Sequence, residues 1–430
     1  YSERYGKVGV TVFGSRNTAS AYDPANIGLT AIPKFERYTL NPRLFLYGDK
    51  TTMDVGFSYI TEDRVGGSMD YIKKGTSGYF EENNTDRFTT QFGISHRLGD
   101  RSGINFKNSY TRFDRAITIP SYQFQGLQQS TFSEFTYSNE REKAQWVVGA
   151  NVLTDAFAEE GQPANLKRNY HYNTYGVFIQ NSWSPNSKFT LESGLRGDYV
   201  SQYGFELLPR VSALFRVTPK LTTRIGGGSG YKVPTVFTEE SERIQFVRVL
   251  PINQEGTRNE RSLGGNWDIN YRTSIGAVGF SINQLFFYTR LNKPLILTQS
   301  GNDFLFQNAN GHIDTRGIET NLKLTYGDFK LFVGYTYADV QNHFDGIKSW
   351  MPLNAKHRLN NVLFYEKDEK WKLGLEAYYV SGQQLNDGAS GKPYWITGFM
   401  IERLWEKVSV FINFENFTDT RQTRFDTIYT

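Results

Sequence analysis

Few side chains in this 430-residue sequence are arranged for bond chemistry. His96, His171, His312, His343 and His357 show no ligand spacing and read as lone surface histidines. Glu239, Glu240 and Glu242 form an acidic cluster. Its oxygens could meet calcium, but solvated charge is the simpler reading. Cys is absent, which excludes structural disulfides and thiolate-held metal. Gly226-Gly227-Gly228 lies within a strand pattern rather than between a strand and a helix, so it is no phosphate-cradling loop. No paired-carboxylate motif and no Ser/His/Asp constellation stands out. The chain therefore reads as a non-enzyme, with no catalytic residue, no metal site and no cofactor. What remains is recognition. Tyr71, Tyr122, Phe124, Phe237, Arg243 and Arg258 fall on long connecting segments and are the candidate ligand contacts. Aromatic rings can bury an aromatic chelate, and arginine can pair with its negative charge.

The elements that must position them follow a rhythm. Segments of about ten to fourteen residues are joined alternately by tight turns and long loops. The tight turns fall at Tyr47–Thr51, Leu98–Ser102, Asn139–Lys143, Ser184–Lys188, Val217–Lys220, Tyr271–Ser274, Tyr326–Asp328, Glu366–Lys370 and Leu404–Lys407. The long loops include Thr61–Asp86, Asp114–Ser130, Thr154–Tyr170 and Tyr231–Ser262. Short turns on one rim and long loops on the other are the signature of a closed up-and-down barrel in an outer membrane.

Alternation with period two supports this. In Lys188–Ser201, one face reads Phe189, Leu191, Ser193, Leu195, Gly197 and Tyr199, and the other Thr190, Glu192, Gly194, Arg196 and Asp198. In Gly317–Tyr326, Ile318, Thr320, Leu322, Leu324 and Tyr326 oppose Glu319, Asn321, Lys323 and Thr325. Helical spacing fits neither. An apolar face nearly free of charge suits lipid, where a mid-bilayer Lys or Arg costs roughly 2–4 kcal/mol. Eleven residues at ~3.3 Å, tilted ~45°, span about 26 Å, the height of the apolar band.

Composition agrees. The chain carries 27 Tyr, 33 Phe, 7 Trp and 40 Gly, yet its mean hydropathy is −0.52. Strands apolar on one face, ending in interfacial aromatic belts, reconcile the two values. Trp183, Trp371 and Trp405 sit at tight-turn ends, where an inner girdle would need them. No run of eighteen apolar residues offers a transmembrane helix. A net charge of +4 is too small to argue for nucleic acid.

Four stretches carry a resemblance. Gly230-Tyr231-Lys232-Val233-Pro234-Thr235 resembles the Gly-aromatic-Lys/Arg-x-Pro segment of TonB-dependent outer-membrane receptors. Gly194-Leu195-Arg196-Gly197-Asp198 resembles their Gly-Leu-Arg-x-Asp strand, and Arg316-Gly317-Ile318-Glu319 their Gly-x-Glu strand. Asn413-Phe414-Glu415-Asn416-Phe417-Thr418-Asp419 resembles their penultimate-strand signature. The four occur in family order.

The reading is an all-β transmembrane up-and-down antiparallel barrel over residues 1–430, with about nineteen strands visible. The resemblance implies about twenty-two in the full protein, with an N-terminal plug and a last strand beyond the sequence shown. It also implies active import of a scarce, bulky nutrient across the outer membrane of a Gram-negative bacterium. A ferric siderophore comes first, cobalamin or haem next, and a passive porin is the alternative. The implied partners are TonB acting through the plug, a small-molecule or metal-chelate ligand, outer-membrane lipid and an optional surface lipoprotein.

Overall fold

The computed structural model describes residues 1–75, 78–368, 370–386 and 388–422. Its first half comprises β1 (Ser2–Tyr5), β2 (Val8–Ala19), β3 (Lys34–Tyr47), β4 (Thr51–Gly67), α1 (Met69–Lys74), β5 (Phe80–Arg97), β6 (Ser102–Ile119), β7 (Tyr122–Arg141), β8 (Ala144–Glu160), β9 (Tyr170–Asn186), β10 (Phe189–Val200), β11 (Gly204–Arg216) and β12 (Leu221–Lys232). The second half comprises α2 (Glu239–Arg243), β13 (Glu260–Ile275), β14 (Val278–Asn292), β15 (Leu295–Ser300), β16 (Asp303–Asn308), β17 (Gly311–Tyr326), β18 (Phe329–Phe344), β19 (Ile347–Trp350), β20 (His357–Lys367), β21 (Trp371–Val380), β22 (Tyr394–Leu404) and β23 (Ser409–Phe414).

Twenty-one of these strands form one sheet. Neighbours in the chain pair antiparallel, and β14 reaches β17 by stepping over the separate β15–β16 hairpin. The chain is an all-β, up-and-down transmembrane barrel. In lipid every backbone N–H and C=O must find a partner within the protein. The ladders supply them: β13 and β14 stay in register from Arg261↔Asn292 to Ile275↔Val278.

Alternation then sets the two faces. Tyr175, Val177, Ile179 and Trp183 of β9 point outward beside Leu195 and Tyr199 of β10. Val177 is 65% exposed and Leu195 46%, values that only lipid contact makes favourable for large aliphatic groups. The inward face carries paired charge. Arg43 meets Asp54 at 2.5 Å, while Arg37 and Arg64 flank Glu62 at 2.5 and 2.9 Å.

Aromatic rings mark both edges of the apolar zone. Near the short turns, Trp183 packs edge-on to Phe189, which meets Phe215. Arg403 lies over Trp371 and Trp405 there. At the opposite edge Tyr38, Tyr59 and Tyr288 donate hydroxyl protons to Glu36, Asp86 and Asp314, which lie further out along the wall. Each ring stays in the apolar layer while its hydroxyl reaches polar groups above. From Tyr175 to Trp183 the strand rises about 20 Å, allowing for tilt, close to one apolar band.

The sequence expectation needs several corrections. The first tight turn comes earlier than Tyr47–Thr51: Gly6-Lys7 joins β1 and β2 into an antiparallel hairpin. The turn expected at Tyr271–Ser274 lies at Gly276-Ala277, because Gly276 (φ 59°) adopts the left-handed geometry the turn demands. The strands are longer than ten to fourteen residues: β5, β6 and β7 run 18, 18 and 20. Much of the supposed loop Asp114–Ser130 is strand, with only Pro120-Ser121 between β6 and β7. Thr61–Asp86 likewise continues β4 to Gly67 and resumes as β5 at Phe80, with α1 between them. Between β14 and β17 the chain forms the β15–β16 hairpin, outside the main sheet.

The lipid assignment is testable. Ile179→Arg places a charge midway between the belts and is expected to cost about 2–4 kcal/mol of folding free energy in phospholipid vesicles. Urea titration measures it. A loss below ~0.5 kcal/mol would show that Ile179 does not face hydrocarbon.

Candidate functional site

Above the belts the inward face changes character. On β7 the face that carries Glu134 lower down carries Phe124 and Tyr122 near its tip. Alternation persists, but the inward side is now apolar because protein covers it. The cover is the connection from β12 to β13. Pro234 follows β12 and cannot extend a ladder. Thr238 then caps α2 through a reciprocal arrangement with Ser241. The turn that follows holds Gln245, Phe246 and Arg248 at φ 49°, 62° and 56°. Left-handed backbone at such residues costs about 1–3 kcal/mol each and persists only where the surroundings impose it.

Phe246 is the anchor, at 0% exposure. Its ring stacks on Phe124 at 4.1 Å and meets Phe237 edge-on at 5.8 Å. Ile117, Phe157, Tyr170 and Tyr172 of the wall, Val236 and Val249 of the connection, and Leu295 and Phe306 of the β15–β16 hairpin complete this core.

Arg168, in the connection between β8 and β9, locks the anchor. It is 3% exposed and pairs with Glu159, itself 2% exposed. Its Nη1 donates to the Phe246 carbonyl at 2.6 Å and its Nη2 to the Tyr122 hydroxyl at 2.8 Å. Tyr122 in turn donates to the same Phe246 carbonyl at 3.1 Å. Burial pushes the Tyr122 hydroxyl pKa up, and the Arg168 charge only partly offsets this. Arg115 pairs with Glu242 at 2.8 Å, and Gln245 donates to Glu81 at 3.0 Å. The connection therefore crosses from β12 to β5 and β6 and roofs the mouth.

Two stretches singled out in the sequence meet beside it. Tyr231 donates to Asp198 Oδ2 at 2.9 Å, and Arg196 pairs with Asp198 at 2.8 Å. Arg196 also reaches Asn151 at 3.1 Å. Gly176 faces this cluster, and a Cβ there would collide with Asp198, so the close approach needs glycine.

A cavity of about 410 Å³ opens between this roof and the connection from β2 to β3. Pro24, Ala25, Ile27, Leu29, Ala31, Pro33 and Tyr79 give it apolar walls, and Arg64, Arg243, Asp23 and Glu81 bring charge. Both carboxylates are engaged. Asp23 accepts from the Ile27 and Gly28 amides, and Glu81 accepts from Gln245. The arginines keep donors to spare. Arg64 Nε is buried without a partner, and Arg243 is exposed with no ion pair among the described residues. Net donor capacity in an apolar cavity of this size suits an amphiphilic anion. Arg243 also lines a second mouth cavity of about 440 Å³, with Glu239, Glu240 and Asn386.

The six sequence candidates part company here. Arg243 lies between the two cavities. Arg258 lines a third, of about 720 Å³, with Tyr203, Glu206 and Arg261. Phe124 and Phe237 belong to the core that holds the roof, and Tyr122 to its lock, so these three support the site rather than present a surface to it. Tyr71 lies on α1, stacked on Phe80 at 4.5 Å and bonded to Glu82, apart from the rest. Sequence reasoning missed Arg64, Glu159 and Arg168. All three lie on expected loops where no local pattern distinguishes a buried charge from a solvated one. The acidic cluster is a surface of α2, with Glu242 tied to Arg115.

Residues 13–417 match the family model described as TonB dependent receptor-like, beta-barrel. Similar solved structures include the siderophore receptor PirA from Acinetobacter baumannii (TM-score 0.78, 12% identity, covering 96% of this chain and 71% of that one). The ferric enterobactin receptor PfeA from Pseudomonas aeruginosa follows at TM-score 0.76, 12% identity, and 96% and 70% coverage. The copper transporter OprC is similar at TM-score 0.77, 13% identity, and 96% and 71% coverage. No curated protein matches by sequence.

Removing the lock isolates its role. Arg168→Met leaves Glu159 buried without its cation, a change that costs about 3–5 kcal/mol. Hydrogen exchange should accelerate at the Phe246 amide while the β13–β14 ladder stays protected. Unchanged exchange at Phe246 would mean that Arg168 does not hold the roof.

Proposed function

This chain belongs to the TonB-dependent receptor family of β-barrels, and we propose that it imports an anionic metal chelate, a ferric siderophore first, across the outer membrane. The carrying observation is the 410 Å³ cavity, where Arg64 and Arg243 keep free donors while Asp23 and Glu81 are engaged. A ferric catecholate or hydroxamate combines flat apolar surface with negative charge and suits both features. The work of uptake belongs to TonB, acting through a plug inside the barrel, and this chain supplies selection at the mouth. Its own chemistry is binding without bond cleavage.

Two observations rank the alternatives. Among the described residues no histidine lines the three cavities above, so an axial ligand for haem iron is not offered there. The roof from β12 to β13 crosses the mouth and is bonded to β5 and β6, which suits a gated receptor better than an open pore.

Uptake of radiolabelled ferric catecholates and hydroxamates by cells carrying the gene tests the reading. Transport should vanish when TonB is deleted; transport that persists would rule out an energised importer, and failure of every ferric chelate would remove the siderophore. Arg243→Ala should weaken binding of the transported chelate about 10- to 100-fold, the worth of one charge-assisted hydrogen bond. Unaltered affinity would move the site elsewhere in the mouth.

A further inference from the structure

The histidines that the sequence scatters are partly reunited by strand register. His312 of β17 and His343 of β18 are direct cross-strand partners. They share the outward face with Ile318 and Tyr337, two register steps or more toward the membrane. Asp314 lies two residues along from His312 on that face, just outside the Tyr288 ring of the aromatic belt. Ile313 between them points the other way, into a mouth cavity. The cluster is therefore separate from the import site.

From this arrangement we infer that His312, Asp314 and His343 form a surface site for a divalent transition metal, with zinc as its reference ion. The imidazoles stack at 4.6 Å with 10° between their planes. His312 Nε2 lies 3.3 Å and His343 Nε2 3.6 Å from Asp314 Oδ2. Ligands ~2.05 Å from a tetrahedral zinc stand about 3.3 Å apart, so the carboxylate oxygen already sits at about that spacing from each imidazole nitrogen, and all three donor atoms lie within 4.8 Å of one another. Two imidazoles and one carboxylate, with a fourth position open to water, are a donor set for zinc, copper(II) or nickel rather than calcium or magnesium. The side chains are 20–30% exposed, so an ion can enter from solvent. Tyr288 donates to Asp314 Oδ1 at 2.8 Å, which orients the carboxylate and leaves Oδ2 toward the rings.

Arg290 is the competitor. Its Nη2 lies 3.1 Å from His312 Nδ1. A guanidinium can only donate, so that contact places the lone pair on Nδ1 and the proton on Nε2. Metal binding at Nε2 needs the proton on Nδ1 and Arg290 turned aside. Arg290 already holds Asn292 through Nε, which gives it an alternative anchor. The site is thus a metal-or-arginine switch at the level where the wall leaves the membrane.

Titration of the purified full chain with Zn²⁺ alone, followed calorimetrically in detergent micelles, tests this. One equivalent should bind. The His312→Gln/His343→Gln double variant, which keeps flat side chains on the wall, should weaken that binding at least ~10-fold, and Asp314→Asn should do so by ~10-fold or more. Arg290→Gln should bind Zn²⁺ more tightly than the parent, an effect that loss of folding would not produce. His171→Gln, on the outward face of β9, should leave the stoichiometry unchanged. No zinc uptake by the parent chain, or equal uptake by the double variant, overturns the inference. Neither outcome bears on chelate import, which uses other residues.

Discussion

A bilayer accepts no unpaired backbone group, and the rest of this protein is arranged around that constraint. Antiparallel ladders meet it, and ladders impose strict alternation on every strand that crosses. Along β10, Leu195 and Tyr199 are committed to lipid, which leaves Arg196 and Asp198 facing inward. Inward charges must then be neutralised locally, as Arg43 does for Asp54 and as Arg37 and Arg64 do for Glu62. Within the membrane the wall thus has little freedom to evolve a binding surface. Recognition moves to the tall strand tips, where water satisfies whatever the ladder leaves open.

At the tips the same alternation serves the opposite purpose. The inward face of β7 passes from Glu134 to Phe124 without any break in pairing with β6. The reversal makes sense only because Phe246 arrives from the β12–β13 connection to cover Phe124. Removing water from this contact strengthens the Arg168–Glu159 pair, since Coulomb attraction grows as the local dielectric falls. The aromatic core and the charge pair therefore stabilise one another: the rings exclude water, and the pair ties down the Phe246 carbonyl that keeps the rings in place.

This explains what was legible in the sequence. The membrane-spanning halves of the strands carry their own evidence, because lipid rewards apolar residues on one consistent face; Ile318, Leu322 and Tyr326 against Glu319 and Lys323 suffice to place β17. The tips carry no such evidence. Ala116–Ile119 and Tyr122–Gln125 alternate well enough to be strand, but their apolar side turns inward, so a lipid-based pattern assigns them to a loop. Turn positions were legible where the chain has one obvious breaker and shifted where it has two candidates, as at Gly276. Long-range pairs such as Arg115 with Glu242, or His312 with His343, depend on register and roof position, which linear spacing does not encode.

The placement of Arg243 ties a cavity wall to the roof. It ends α2, and the turn that begins two residues later contains Gln245 and Phe246 in left-handed conformations. Any displacement of Arg243 pulls on that turn, and the turn is held by the Phe246 carbonyl bonds to Arg168 and Tyr122. Strain stored in the backbone favours release, whereas the dry charge pair favours retention. The balance is asymmetric in water. Once the turn lifts and solvent reaches Glu159, the penalty for separating Arg168 from it falls from several kcal/mol toward that of a surface pair. The roof and the cavity wall thus share one short segment, Arg243 to Phe246, and what keeps that segment in place is the dry pair of Arg168 with Glu159.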